Sequence, residues 1–435
     1  MKPLSVPSQE VEVMADVDLV VAGGGSAGCA AAICAAREGL RTVLVEDMPF
    51  FGGMSTGGAV GTYCGFFLLE EDGSMTPTVG GLPLEIAETL RERGHAYGPV
   101  PVRDSAALPY VPWGVKRLLD ELVSREASLT PLLHARVTHA EFRDGRVEGV
   151  VVETRGGRLA LRAGAFIDAT GDAALARACG LPLERHAGSQ FPSMMFTMQG
   201  VDIGQALANL GRLQTAIDES FESERLPRRS GHLIPTSRPG EVQVALSRVS
   251  IEGRPIDGTD PLELTRGEIE GRAQAERLAD FLRRKMPGFE NAFLGDTAAR
   301  LGIRETVHVR GIYALTEDDV LGSRKADDGI GRCAWPVELH VPGGETEWRF
   351  LPRGEYYTVP FRCLVPQGTE NLLVIGRCIS ATREGFASVR VIGPCMLEGQ
   401  AAGIAASHAV PRGTPFPKLD IEAVRQSLEE KGVPL

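Results

Sequence analysis

The sequence predicts an α/β fold: a dinucleotide-binding, Rossmann-like parallel sheet with an antiparallel meander crossover, plus an inserted mixed α+β substrate domain. Three observations predict it. An apolar run, Val17–Ala22, leads straight into Gly23-Gly24-Gly25-Ser26-Ala27-Gly28 and a helix of small residues. Alternating text from 139 to 163, broken at Asp144-Gly145 and Gly156-Gly157, reads as antiparallel strands. A second apolar strand at 371–375 and a second small-residue helix after Gly393-Pro394 stand near the other end of the chain.

The first strand is Val17–Ala22. The helix that follows spans Ala27–Glu38 and closes at Gly39, which suits the left-handed turn after a helix. Arg41–Glu46 is the next strand, so the unit is β-α-β with parallel strands and a right-handed crossover. Residues 115, 118, 119, 122 and 123 are apolar at helical spacing, which predicts a helix over Val115–Glu126. Leu132–Val137 reads as a third parallel strand, followed by the meander and by a returning strand, Ala165–Thr170. A short helix near 173–179 comes next. Thr259-Asp260-Pro261 opens a helix running to Lys285, with Pro287-Gly288 as its stop. Strands are expected within 242–251 and 336–341, and a final helix at 420–431. The resulting division is 1–181, 182–358 and 359–435, the first and last parts forming one dinucleotide-binding domain around the substrate domain.

Composition removes several function classes. Apolar residues make up 43% of 435, enough for a sizeable core. The 57 acidic residues outnumber the 46 basic ones, giving a formal charge of −11, which disfavours nucleic-acid or anionic-membrane partners. Eight cysteines form no CxxC pair, and no Cys/His cluster has zinc-finger spacing, so no metal is expected. Cys29 and Cys34 share a predicted helix and point in different directions. No run of 18 apolar residues exists, and the first 18 residues lack the apolar centre of a secretory signal. These readings together predict a reduced, cytoplasmic protein.

Gly23-x-Gly25-x-x-Gly28 has the context that its chemistry needs. Gly23 permits the tight turn, Gly25 lets backbone approach a pyrophosphate, and Gly28 lets helix and strand pack closely. With Ser26 and Ala27 these residues place a helix N-terminus, with its free amides, at the phosphates. Glu46, 18 residues after Gly28, accepts ribose hydroxyls and repels a 2′-phosphate. Small residues at Gly52, Gly53 and Met54 leave room for a flat ring or sugar-phosphate chain. Asp168-Ala169-Thr170-Gly171-Asp172 lets a strand end pass against a cofactor. Gly393, Cys395 and Met396 open a helix whose N-terminus favours partial negative charge.

Taken together, strand–GGGSAG–helix–VLVE, GGM, IDATGD, LLVIGRCIS and VRVIGPCMLEGQAAG resemble the FAD-dependent oxidoreductase family of the glutathione-reductase-like, FAD/NAD(P)-binding flavoprotein fold. The likeness covers about 1–180 and 355–410. It implies FAD as cofactor, with its pyrophosphate on the first glycine turn, its adenosine ribose on Glu46, backbone of Val137 at the adenine, and GGM beside the flavin. Relatives of this fold often carry Gly-Asp at the late strand, where this chain has Gly376-Arg377; Arg377 is then expected on the pyrophosphate. A second nucleotide-binding glycine turn is absent, so no NADPH domain is expected, and a disulfide-reductase Cys pair near 50–65 is missing.

An enzyme of this kind needs a group to move a proton and cations to orient charge. His340 is the acid/base candidate; Arg304 and Arg390 are the anion-orienting candidates; Arg383 stands where relatives often carry His. The expected activity is hydride transfer from a small organic substrate to flavin. Two alternatives stay open: a flavin monooxygenase or halogenase-like enzyme, and a flavin-binding electron-transfer protein without its own substrate. The sequence also allows a homo-oligomer and leaves the electron acceptor open.

Overall fold

The structure is a computed structural model, which describes residues 10–341 and 345–435. Residues 1–9, part of the stretch read above for a signal, and 342–344, at the end of the 336–341 strand segment, lie outside it. Strand β1 (Val13–Ala22) is followed by helix α1 (Ser26–Arg37) and strand β2 (Thr42–Val45). The two strands pair in parallel with Val20 opposite Val43. Strand β3 (Leu129–Leu132) pairs in parallel beyond β2, with Val43 opposite Thr130.

The third parallel strand therefore lies three residues earlier than the sequence suggested. The predicted Leu132–Val137 straddles a turn in which His134 has a positive φ of 55°, and its end already belongs to the meander. That meander is β4 (Arg136–Arg143), β5 (Arg146–Thr154) and β6 (Gly157–Asp168). Asp144 and Gly145, both with positive φ, make its first turn. β6 is one unbroken strand: its first half pairs antiparallel with β5, and it also runs parallel to β1, with Ala22 opposite Asp168.

The late strand, β7 (Leu372–Val374), completes the sheet by pairing in parallel with β6, Phe166 opposite Leu372. The parallel order is β3-β2-β1-β6-β7. Strand residues such as Leu19, Val21, Leu44, Ile167 and Leu373 are fully buried, as expected of a sheet covered on both faces.

Helix α3 (Ile392–Ala409) lies directly on α1. A Cβ on Gly399 would sit 2.1 Å from the Ala27 carbonyl oxygen, and one on Gly403 would sit 2.4 Å from that of Ala31. Only glycine at these two positions lets the helix backbones meet, which accounts for the small residues of both segments. The late helix thus presses the start of α1 against the sheet.

A four-stranded antiparallel sheet within 62–109 and the helix Leu82–Glu92 were not anticipated. Its longer strands are nearly continuous apolar text, TYCGFFLL for example, without a period-two signature, and the other two have three residues each. The middle of the chain carries its own apolar cores within 194–303, packed on the long helix α2 (Pro261–Lys285), whose N-terminus is capped by Asp260. Residues from Leu315 to Val365, by contrast, share the core of the parallel sheet and of α1 and α3. No helix among the described residues is long and apolar enough to cross a membrane.

Candidate active site

At the C-terminal ends of β1, β2 and β6 the chain leaves a cleft that is open to solvent at its mouth. The β1–α1 turn forms its floor. Gly23, with φ +99°, donates its amide to the Val45 carbonyl at 2.7 Å. A Cβ on Gly28 would lie 1.8 Å from the Gly23 oxygen, so that position is closed by packing. Gly25 is different. A Cβ there meets nothing nearer than the Gly53 Cα at 3.9 Å, and points into empty space in the cleft. The N-terminus of α1 has no side-chain cap, which leaves its first amides for an anion.

Glu46 closes one end. Its carboxylate accepts hydrogen bonds from the amides of Gly24 (2.7 Å) and Met48 (2.9 Å). Burial, and next the neighbouring Asp47, push its pKa up to about 7. Val137 lies on the cleft near this end; Ala169, Thr170 and Gly171 line the β6 side. Asp168 is fully buried and does not reach the cleft. It accepts from the Thr170 hydroxyl (2.7 Å) and the Ala176 amide (2.9 Å), fixing the turn into the short helix Ala174–Ala178. Gly53, Met54, Arg390 and Cys395 line the cleft further along.

The predicted residues fall into two groups. Gly23, Gly25, Ser26, Ala27, Glu46, Gly53, Met54, Val137, Ala169, Thr170, Gly171, Gly376, Arg377, Arg390 and Cys395 all line one cleft. Gly28, Gly52, Gly393 and Met396 do not; they shape it from behind. Gly52 turns the chain with φ +103°, Gly393 packs against the Gly65 carbonyl, and Met396 is buried. Arg377 is committed within the protein: it pairs with Asp172 at 2.8 Å and donates to the Ile303 carbonyl at 2.6 Å. Arg383 faces Gly188 and Glu384, away from the cleft. Arg136, Arg300 and Ile392 line it without having been anticipated.

His340 also lies off the cleft. It is buried, with Nε2 3.2 Å from Glu338 Oε1 and Nδ1 3.3 Å from an Arg248 Nη2. As a neutral ring it donates to the carboxylate and accepts from the guanidinium, so both nitrogens are satisfied. Burial, then the Arg304 charge, holds its pKa well below the ordinary value. Both ring nitrogens of His340, the acid/base candidate of the sequence, are thus taken by protein partners away from the cleft.

Glu338 lies within the field of four arginines, Arg390, Arg304, Arg228 and Arg248. Arg390 donates to it at 3.3 Å and also lines the cleft. Arg304 donates to the Phe191 carbonyl (2.5 Å) and the Ser193 hydroxyl (3.0 Å). Arg228 and Arg248 approach the Thr346 hydroxyl from the inserted region. Burial works against the charge on Glu338, but His340, Arg390 and Arg304 outweigh it and hold the carboxyl well below its usual range. Burial in turn lowers Arg228 and Arg248 to about 10, and lowers Arg304 strongly. Among the described residues, three buried donors around this cluster have no partner: Arg390 Nε, Arg228 Nε and Gln190 Nε2. Arg228 and Arg248 were missed in the sequence. For Arg248 the signal is an arginine embedded in apolar strand text, VALSRVSI; Arg228, in ERLPRRSGH, has none.

A model of the family described as FAD dependent oxidoreductase matches residues 18–428. The chain belongs to that family. FAD is its cofactor, and the cleft suits it: uncapped helix amides and the open face of Gly25 for a pyrophosphate, and Glu46 for ribose hydroxyls. Among solved structures, a geranylgeranyl bacteriochlorophyll reductase-like protein from Thermoplasma acidophilum is 15% identical, with 97% of this chain and 83% of that one covered and a TM-score of 0.46. A p-nitrophenol 4-monooxygenase from Pseudomonas putida is 12% identical (96% and 82% covered, TM-score 0.44). A flavin-dependent brominase is 15% identical (95% and 84% covered, TM-score 0.48).

Proposed function

We propose that this FAD-dependent oxidoreductase oxidises a small organic anion by hydride transfer, with the anion held by Arg304 and Arg390 beside the FAD cleft. The observation that carries this reading is the buried cation cluster. Four guanidinium groups stand near one carboxylate, Glu338, among the described residues, an excess of positive charge since His340 is neutral. Uncompensated charge is costly to bury, and a ligand carboxylate removes that cost. The unpartnered Nε of Arg390 and Nε2 of Gln190 are donors such a carboxylate can use.

FAD supplies a two-electron acceptor when bound. The chain's own contribution is orientation and electrostatics. Arg390 spans the two sites: it lines the cleft and is anchored on Glu338. Arg304, fixed by Phe191 and Ser193, has no freedom to follow a misplaced substrate. Glu338, kept ionised, stops the arginines from repelling one another apart. His340 holds the Glu338 carboxylate in place.

The test is anaerobic mixing of the holoenzyme with a panel of hydroxy- and amino-carboxylates and their neutral amides, following loss of the oxidised-flavin band. Bleaching by one or more carboxylates but not by their amides is expected. Equal bleaching by an acid and its amide, or bleaching by reduced nicotinamide alone, would overturn the reading.

A further inference from the structure

Four arginines line the cofactor cleft: Arg136, Arg300, Arg377 and Arg390. Arg377 is paired with Asp172 and Arg390 with Glu338. Arg136 stands at the Glu46 end, next to Ala135, whose amide donates to the Glu46 carbonyl at 2.9 Å. Arg300 is the fourth, and it comes from the inserted region. It is half-buried, and among the described residues its guanidinium has neither an ion-pair partner nor a hydrogen-bond acceptor.

The backbone around Arg300 is fixed to the cleft wall at two places. The Arg300 amide donates to the Gly57 carbonyl at 3.1 Å. Six residues on, the Thr306 hydroxyl donates to the Gly171 carbonyl at 3.2 Å and to Asp172 at 3.0 Å, and between them the Ile303 carbonyl accepts from Arg377. The aliphatic stem of Arg300 lies on Gly57: a Cβ there would be 3.2 Å from its Cδ and 3.4 Å from its Cγ. Gly57 donates to the Gly53 carbonyl at 2.7 Å, and a Cβ on Gly53 would stand 2.8 Å from the Gly25 Cα. One short turn of chain therefore separates the residue under the Arg300 stem from the glycine that faces the open cleft.

The charge balance of the cleft calls for a cation at this place. The diphosphate of FAD is ionised on both phosphates at neutral pH. Against it, α1 offers uncapped amides and a dipole worth about half a charge, and no residue of its first turn is basic. Arg377, expected on the pyrophosphate from sequence, is already compensated by Asp172. We propose that Arg300 is the side chain that pairs with the FAD diphosphate, a counter-charge brought to the cofactor by the inserted region. Its planar fork of N–H donors matches two phosphate oxygens, a fit that an ammonium group lacks. The cofactor then helps to seat the inserted region on the FAD-binding part, because the same residue is bonded to Gly57 through its backbone and to the diphosphate through its side chain.

The experiment uses the wild-type full chain, FAD-loaded and after removal of FAD. Both forms are treated with phenylglyoxal, which modifies accessible guanidinium groups, and the modification of Arg300 is read by peptide mass spectrometry. Expected is a labelled Arg300 in the stripped chain, protected when FAD or ADP is added back and left reactive by riboflavin, which has no phosphate. Labelling that FAD leaves unchanged, or that a large excess of ADP fails to reduce, would overturn the proposal. A second measurement is FAD affinity. Arg300→Gln should raise the Kd of FAD by about 10- to 150-fold and flatten its rise with potassium chloride, since a screened ionic contact is gone; Arg300→Lys, which keeps the charge without the fork, should fall between. A folded Gln variant with wild-type FAD affinity would equally refute the assignment. If that variant does not fold, the labelling of the wild-type chain decides.

Discussion

Replacing Gly25 with alanine separates the cofactor's needs from those of the fold. The backbone at Gly25 has φ −68°, which any residue adopts, and a Cβ there touches only Gly53 Cα at 3.9 Å. The apoprotein should therefore fold normally, and gain about 0.4–1 kcal/mol from reduced freedom of the unfolded chain. FAD should be lost, because the new methyl group occupies the space the pyrophosphate needs. Losing two amide–phosphate hydrogen bonds of about 1.5–3 kcal/mol each weakens FAD binding by about 150-fold to 25,000-fold. The assay is a fluorescence-quenching titration of apoprotein with FAD, paired with a thermal melt of the same apoprotein. Gly28→Ala is the contrast: its Cβ would lie 1.8 Å from the Gly23 oxygen, so the melt itself should collapse. An intact Gly25→Ala fold with unchanged FAD affinity would refute the assignment of the turn to the pyrophosphate.

Other perturbations test other parts of the site. Glu46 has its pKa raised to about 7, and only the ionised carboxylate accepts both ribose hydroxyls; FAD affinity should fall by up to about tenfold per pH unit below that value, as a titration series would show, and Glu46→Gln should abolish the dependence. In the apoprotein the same group holds a proton between 4.5 and about 7 that the unfolded chain lacks, so its contribution to stability is present at low pH and lost as pH rises through 7. His340 acts in the opposite sense: below 6.5 the unfolded chain binds a proton that the native state refuses, so stability falls with acid by up to about 1.4 kcal/mol per pH unit, and Glu338 adds to the fall below 4.5. Chemical denaturation across pH, in wild type and His340→Gln, measures that slope. Arg390→Ala should raise the Kd of a carboxylate substrate by about 10- to 150-fold, the worth of one charged hydrogen bond, while FAD content is kept; an unchanged Kd would remove Arg390 from the substrate site.

The sequence made the parallel sheet legible where local chemistry dictates it. Gly23, Gly25 and Gly28 have spacing that one turn geometry demands, and Glu46 follows on the next strand end. The small-residue helix after Gly393-Pro394 was legible, and the structure supplies the partner that Gly399 and Gly403 meet, Ala27 and Ala31 of α1. The strand at 132–137 was displaced because His134, a residue with no turn signal of its own, takes a positive φ. The sheet within 62–109 was missed because its two longer strands, 62–69 and 105–109, are largely buried and carry no alternation to read, and the other two have three residues each.

The cation cluster was half legible. Arg390 stands in a segment that resembles a family motif, whereas Arg228 and Arg248 reach the cluster from a region with no motif. His340 shows the limit most plainly. Its proximity in sequence to a strand end suggested an acid/base, but its role depends on Glu338, Arg248 and Arg390, and only the third dimension brings them together.

The cofactor cleft needs segments far apart in the chain. β1 and α1 are made long before the strand at 372–374 and the helix ending at 409 that press on them. Until those segments leave the ribosome, the nascent chain carries an unfinished sheet edge and a bare α1 surface. A chain cut before residue 372 should therefore leave the cleft incomplete and give a colourless, aggregation-prone product.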